Sequence, residues 1–197
     1  MTRVVFLRSN PIDPDPRLAK SATCLVGAGY QVTALGWDRF GNSPTNEAIA
    51  GVQIVRLAIR AAYGSGMQNL PALIRWQWGI TRWLFRHRQQ YEFLHACDFD
   101  TVIPALLMKL LFGKKVVYDI YDFYADHLRA TPTWIKALIR YVDRRCIGWV
   151  DGVILVDDVR REQIAGTSPK HLTVIYNVPG DYVIGLAASV ESLKKPN

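Results

Sequence analysis

Gly113-Lys114-Lys115-Val116-Val117-Tyr118-Asp119-Ile120-Tyr121-Asp122-Phe123-Tyr124 is the stretch that decides the fold. Two lysines lead into a short run of β-branched and aromatic residues, which ends in a cluster of acids and tyrosines. A glycine-bounded run of this kind reads as a strand buried on both faces of a parallel sheet. In open α/β sheets, ligands collect just beyond the carboxyl ends of the strands. The expectation is a crevice with its floor at 119–126, where Asp119, Tyr121 and Asp122 would sit.

The sequence on either side repeats the same alternation. Upstream, 93–97 reads as a strand, Asp98-Phe99-Asp100 follows it, and a helix over 101–112 stops at Gly113. Downstream come a loop at 125–132, a helix over 133–149, strands at 152–156 and 172–176 with a short helix near 158–164 between them, and a weakly helical 183–193. Near the start, 3–8 is a compact strand candidate. The three prolines of 9–16 forbid a helix there, and Asp15-Pro16 has the form of a helix N-cap followed by proline at the first helical position. Leu18, Ala19, Ala22, Leu25 and Val26 then give one apolar helical face, closed by Gly27 and Gly29. Strands at 31–37 and 52–57 enclose a polar, turn-rich 38–51; a loop follows over 60–69, and 70–90 is helical in pattern. Strands separated by helices make a parallel sheet covered on both faces. The expected architecture is therefore α/β: a Rossmann-like parallel sheet of about seven strands with helices on both faces. Residues 1–180 form the domain, and 181–197 a tail or a truncated interdomain segment.

A chain of 197 residues is long enough for one well-cored domain and short for two. With half its residues apolar it is neither disordered nor a disulfide scaffold. Cys24, Cys97 and Cys146 are odd in number and widely spaced, which fits a reduced intracellular chain without a zinc site. The apolar run at the start is too short for a signal peptide, and no stretch reaches the ~20 apolar residues of a spanning helix. A net charge of +7 favours anionic partners without choosing among phosphorylated ligands, nucleic acid and an anionic membrane. The expected location is the cytoplasm, peripheral on the inner face of the membrane.

No local catalytic signature is present. Gly-x-Gly-x-x-Gly does not follow the first strand, and neither a P-loop nor a Gly-x-Ser-x-Gly elbow occurs. The chemistry rests on acids at strand ends. Asp119 and Asp122 could accept hydrogen bonds from a hydroxyl-bearing ligand, and Asp122 or Asp126 could act as a general base if burial raised its pKa; an Asx-turn or a helix cap is the competing reading. His127 is either an acid–base group or a solvent-facing loop residue. Asp98 and Asp100 either cap the helix after them or wall the crevice together with its N-terminus. Cys97 reads as core. Arg8, Arg17 and Lys20 surround the proline loop, where they either hold an anion or pair with Asp13 and Asp15. Trp76, Trp78 and Trp83 stand among arginines in the 70–90 helix. Either they are the core of a crossover helix or they meet a membrane headgroup region; stacking on nucleic-acid bases is the weaker version.

Several stretches resemble family-four glycosyltransferases of the GT-B type: Pro16-Arg17-Leu18-Ala19-Lys20, Gly29 through Arg39, Leu94 through Thr101, Lys115-Val116-Val117-Tyr118-Asp119, Val150-Asp151-Gly152-Val153 and Val174 through Pro179. The matches are in order and span nearly all of residues 3–180. The resemblance implies one half of a GT-B fold, namely the N-terminal, acceptor-side domain. It further implies a missing C-terminal donor domain or a separate donor-binding subunit, retention of anomeric configuration, a nucleotide-sugar donor as co-substrate, and no other cofactor or catalytic metal. Two positions depart from the family pattern: Cys97 stands where members often have histidine, and Tyr121-Asp122 replaces a frequent His-Glu.

The sequence therefore points to the acceptor-binding half of a transferase acting on a glycan or a lipid-linked acceptor. Asp119 and Asp122 are the catalytic candidates, and Arg8, Arg17, Asp98, Asp100 and Tyr121 the acceptor-binding ones. Alone, the chain is expected to be inactive. The alternative is a non-enzymatic Rossmann-like binding or scaffold module held to a membrane by its tryptophan-rich helix.

Overall fold

The computed structural model describes residues 1–62, 69–123 and 131–177. Along the chain the elements are β1 (Arg3–Arg8), α1 (Pro16–Gly27), β2 (Gln31–Asp38), β3 (Asn46–Ile49), β4 (Val52–Ala58), α2 (Leu70–Arg86), β5 (Phe93–Cys97), α3 (Phe99–Phe112), β6 (Lys115–Ile120), α4 (Thr133–Trp149), β7 (Gly152–Leu155), a 3₁₀ helix at Val159–Ile164, and β8 (Leu172–Val174). One sheet contains every strand, in the order β3-β4-β2-β1-β5-β6-β7-β8. All pairings are parallel except that of β3 with β4.

β3 is the strand beyond the seven read from sequence. It lies inside the polar 38–51 stretch, at the sheet edge and mostly exposed, so it needs no apolar run. Its hairpin turns through Ala50 and Gly51, both at positive φ (49° and 81°), as a two-residue primed turn requires. The predicted tail, 181–197, lies outside the described residues, as do Tyr124, Asp126 and His127.

Alternation along β1 sorts the core into two layers. Val4 and Phe6 face α1, packing with Leu18, Ala22, Val32, Ala34, Val52 and Ile54. Val5 and Leu7 face the other way, into a larger layer supplied by α2, α3 and α4. Trp76 belongs to that layer and stacks on Trp37 with ring centroids 5.1 Å apart. Trp78, two residues on, is 66% exposed. The tryptophans of α2 are thus divided between the core and the surface.

From β1 the chain passes to β2, β3 and β4 on one side, and then crosses back to β5 on the other side of β1. Such a reversal is where open α/β sheets place a crevice, at the carboxyl ends of the strands. A cavity lies at that end of the sheet, walled by the ends of β1, β6, β7 and β8 and the start of α1, with Tyr121 and Asp122 of the expected floor among its lining. The loop after β1 folds back onto β2, where Trp37 N donates to Asn10 O at 2.9 Å. Gly36 permits the approach, since a Cβ there would lie 2.8 Å from Asn10 O.

On α4, Asp143 is buried and accepts a hydrogen bond from Tyr118 Oη at 2.7 Å. Burial pushes its carboxyl up to about 6, against about 3.9 in an unfolded chain. The native state therefore holds the extra proton, and stability falls as pH rises from about 4 to about 6. Asp143→Asn keeps an acceptor for Tyr118 and should flatten that slope, gaining about 2 kcal/mol over the wild-type chain above pH 6. Urea unfolding across this pH range checks the prediction.

Candidate functional site

The site is built from the ends of β1, β5 and β6 and the first turn of α1. Asp15 caps α1 as the sequence predicts, accepting from Leu18 N at 3.1 Å, with Pro16 opening the helix. Its other oxygen accepts from Arg8 Nε at 2.8 Å and Asn10 Nδ2 at 2.9 Å. Arg8 Nη1 donates to Asp98 Oδ2, so one guanidinium at the end of β1 bridges two carboxylates. Burial works against that charge, but the carboxylates of Asp98 and Asp15 more than offset it and hold Arg8 firmly protonated.

Asp98 precedes α3, yet its side chain makes no capping bond to the helix. Its Oδ1 instead accepts the backbone N–H groups of Tyr121 at 2.9 Å and Asp122 at 3.2 Å. Its backbone sits at φ 67° and ψ 168°, a region essentially reserved for glycine and costing about 1–3 kcal/mol otherwise. Burial raises the Asp98 carboxyl, opposed by Arg8 and the two N–H donors. This residue ties the loop after β6 to the end of β1.

Tyr121 lies within reach of both arginines. The Arg8 guanidinium lies 4.2 Å and that of Arg17 4.9 Å from its ring centroid, within cation–π range. Below the ring, Arg17 Nη2 donates to Asp119 Oδ1 at 2.8 Å, and Asp119 Oδ2 meets His95 Nε2 at 3.1 Å. Arg17 Nη1 donates to Ile175 O at 2.8 Å, and His95 stacks on Phe6 with centroids 4.2 Å apart. Arg17, Asp119 and His95 are all buried.

The sequence-predicted residues thus come together, in different positions from those expected. Asp119 lies beneath the floor, with both oxygens engaged. Arg8 and Arg17 both line the cavity, each paired with a carboxylate, and Arg17 Nε has no hydrogen-bond partner among the described residues. Asp122 is half-exposed at the mouth and paired with Arg160 at 2.8 Å. Asp100 is buried behind Ser9. Its Oδ1 has no hydrogen-bond partner among the described residues, and burial pushes its carboxyl up to about 6. Cys97 is core, its thiol raised by burial.

Sequence reasoning did not assign His95, Asn10 or Arg160 to the site, and it read Asp15 as a cap and as an ion-pair partner, which it is for Arg8. His95 had a usable signal: a polar residue inside an otherwise apolar buried strand needs a partner. Arg160 had none, standing among other surface charges.

Beside this network is a cavity of about 660 Å³, whose lining includes Arg8, Asn10, Asp15, Arg17, Tyr121, Asp122, Asp157, Tyr176 and Asn177. Carboxylate oxygens, guanidinium and amide N–H groups and aromatic rings are what the cavity offers a ligand. Carboxylates accept hydrogen bonds from hydroxyls, guanidiniums and amides donate to oxygens, and rings cover apolar C–H faces. The chemistry suits a hydroxyl-rich ligand. No group of three His, Cys, Asp or Glu side chains among the described residues is placed to hold a metal ion.

The family model described as "Glycosyl transferase 4-like domain" matches residues 14–177. No curated protein sequence matches the chain. Among solved structures it is similar to sucrose-phosphate synthase from Thermosynechococcus elongatus (TM-score 0.72, 11% identity), covering 100% of this chain and 53% of that one. It is similar also to Phytolacca americana UGT2 complexed with UDP-2fluoro-glucose and pterostilbene (TM-score 0.64, 12% identity; 99% and 57% covered). A third is Anabaena Alr3699/HepE in complex with UDP and glucose (TM-score 0.54, 11% identity; 96% and 50% covered). At such identities the likeness is one of fold. The chain spans about half the length of these proteins, the extent of one half of a GT-B fold.

Proposed function

The chain belongs to the glycosyl transferase 4-like family, and from that premise we propose that it is the acceptor-binding half of a retaining glycosyltransferase. Sugar passes from a nucleotide-sugar donor to a glycan or lipid-linked acceptor, beside a membrane to which the protein attaches peripherally. The donor is held by a second domain or subunit that closes over the carboxyl ends of β1, β5 and β6.

The observation that carries this reading is the cavity beside the Arg8–Asp98 and Arg17–Asp119 pairs, lined by carboxylates, arginines, asparagines and tyrosines. Asp122, at the mouth, accepts a hydrogen bond from the acceptor hydroxyl and is the residue here best placed to touch the reacting atoms. Asp119 serves catalysis indirectly, by fixing Arg17 beneath Tyr121. Arg8, Asp98 and Asp100 hold the strand-end loops against one another, and Tyr121 presents its ring edge to the acceptor. Catalysis then rests on orienting the acceptor toward a donor held across the cleft, with the leaving phosphate stabilised by the other half.

Purified 1–197 should release no nucleoside diphosphate from nucleotide-sugars and transfer no sugar. Transfer should appear when a donor-binding half is supplied, joined to the chain or as a separate subunit, and the product's anomeric configuration should match the donor's. Transfer by 1–197 alone would overturn the division of labour.

A further inference from the structure

The sheet face opposite α1 is covered by α2, α3 and α4, with α3 in contact with both neighbours. Their inward residues fill the larger core layer. Their outward residues are also apolar. Trp78 on α2, Ile103, Leu107 and Leu110 on α3, and Trp134 and Leu138 on α4 are all exposed, Leu110 at 82%. α3 is the clearest case. Apart from buried Asp100 and Thr101, Lys109 is the only polar side chain among its 14 residues. A helix apolar on all sides ordinarily has protein or lipid on all sides. Among the described residues, none packs on its outer side, where Ile103, Leu107 and Leu110 stay exposed. Between α2 and α3 the surface dips into a groove of about 640 Å³, with Leu73, Trp78, Ile103 and Leu107 among its walls.

The charge on these helices is one-sided. α2 contains no Asp or Glu. The single acids of α3 and α4, Asp100 and Asp143, are buried. Arg75, Arg82 and Arg86 stand on α2, and Lys136, Arg140, Arg144 and Arg145 on α4. No exposed acid on any of the three helices interrupts this basic border.

We propose that this face docks the protein onto an anionic lipid bilayer, with the outer side of α3 and exposed Trp78 and Trp134 in the headgroup–acyl boundary and Arg75, Arg82, Arg86 and Arg145 against lipid phosphates. Charge complementarity selects this occupant. A second copy of the chain would set one basic border against another in a two-fold contact. A bilayer offers an apolar layer under an anionic surface in the arrangement that the helices present. Indole rings favour that boundary. No helix among the described residues is long and apolar enough to cross a membrane, so the attachment is along the surface. The proposal names the surface and lipid class behind the peripheral attachment suggested above, and rests on that part of the reading alone. A chain that ignores vesicles would leave the transfer reaction standing, and a transfer-dead chain can still bind them.

The test is flotation of 1–197 with phosphatidylcholine vesicles and with vesicles containing phosphatidylglycerol as well. The chain should float with the anionic vesicles and largely stay behind with the neutral ones, and added salt should release it. Trp78→Glu with Leu110→Glu removes two exposed apolar groups without touching the core, and should abolish flotation while circular dichroism stays unchanged. Arg75→Ala with Arg82→Ala should weaken binding to anionic vesicles on the order of tenfold or more, with little change on neutral ones. Three results overturn the proposal: equal partition onto both vesicle types or onto neither, undiminished flotation of the Trp78→Glu/Leu110→Glu chain, or a dimer in solution that the same two substitutions break.

Discussion

Asp119→Ala is expected to destabilise the chain on the order of 3–5 kcal/mol, the range for breaking a buried pair from one side. Arg17 would keep the carbonyl of Ile175 as its one side-chain hydrogen-bond acceptor among the described residues, beside the Tyr121 ring and on a side chain that is largely buried. His95 would lose its Nε2 partner as well. The loss is large because one carboxylate fastens three parts of the chain: Arg17 from α1, His95 from β5, and, through Arg17, the segment after β8. Arg17→Ala should cost a comparable amount, since it leaves Asp119 buried with His95 alone. Replacing both with apolar residues of similar size, Arg17→Met with Asp119→Leu, should cost clearly less than the sum of the two alanine variants, because no unpaired charge remains. Urea unfolding of the four chains gives the coupling directly. Additive losses would mean that the pair is not a unit.

That pair also marks where sequence reading stops. The strand–helix alternation and the Asp15-Pro16 cap were legible because each depends on residues within a few positions of one another, and periodicity records such relations. Arg17 with Asp119 and Arg8 with Asp98 are contacts across 102 and 90 residues. They exist only once β1 lies beside β5 and β5 beside β6. Strand order is set by crossovers that leave no local pattern, so Tyr121 and Asp122 could be placed at a crevice, but not the ends of β7 and β8 that wall it with them. β3 escaped for a different reason: an exposed edge strand of four residues has no apolar face to imprint on its sequence. The acids could be picked out as candidates, but a carboxylate that accepts from a ligand and one that holds an arginine look alike in sequence. Burial and pairing separate Asp119 from Asp122, and both are properties of the folded chain.

Asp98 is where backbone strain and function can be told apart by substitution. Its conformation at φ 67° and ψ 168° is one that glycine adopts freely. It is held there by a carboxylate that accepts from Tyr121 N and Asp122 N on one oxygen and from Arg8 on the other. Asp98→Gly removes three charge-assisted bonds, worth about 1.5–3 kcal/mol each, and relieves about 1–3 kcal/mol of strain. It should therefore be less stable than the parent chain. Asp98→Ala loses the same bonds and keeps the strain, and should be less stable again, by about 1–3 kcal/mol. Activity should follow a different order. In the complete two-domain enzyme both variants release Arg8 and the 121–122 segment, and a misplacement of about 1 Å at such a site costs roughly 10²-fold in transfer. Asp98→Asn still offers an oxygen to the two N–H groups and tolerates positive φ, so it should retain most of the activity. A positioning role for Asp98 requires Asp98→Gly to be more stable than Asp98→Ala yet equally poor as a catalyst, with the loss in kcat and in acceptor KM and donor KM unchanged. If transfer instead follows stability across the three variants, Asp98 only holds the fold together.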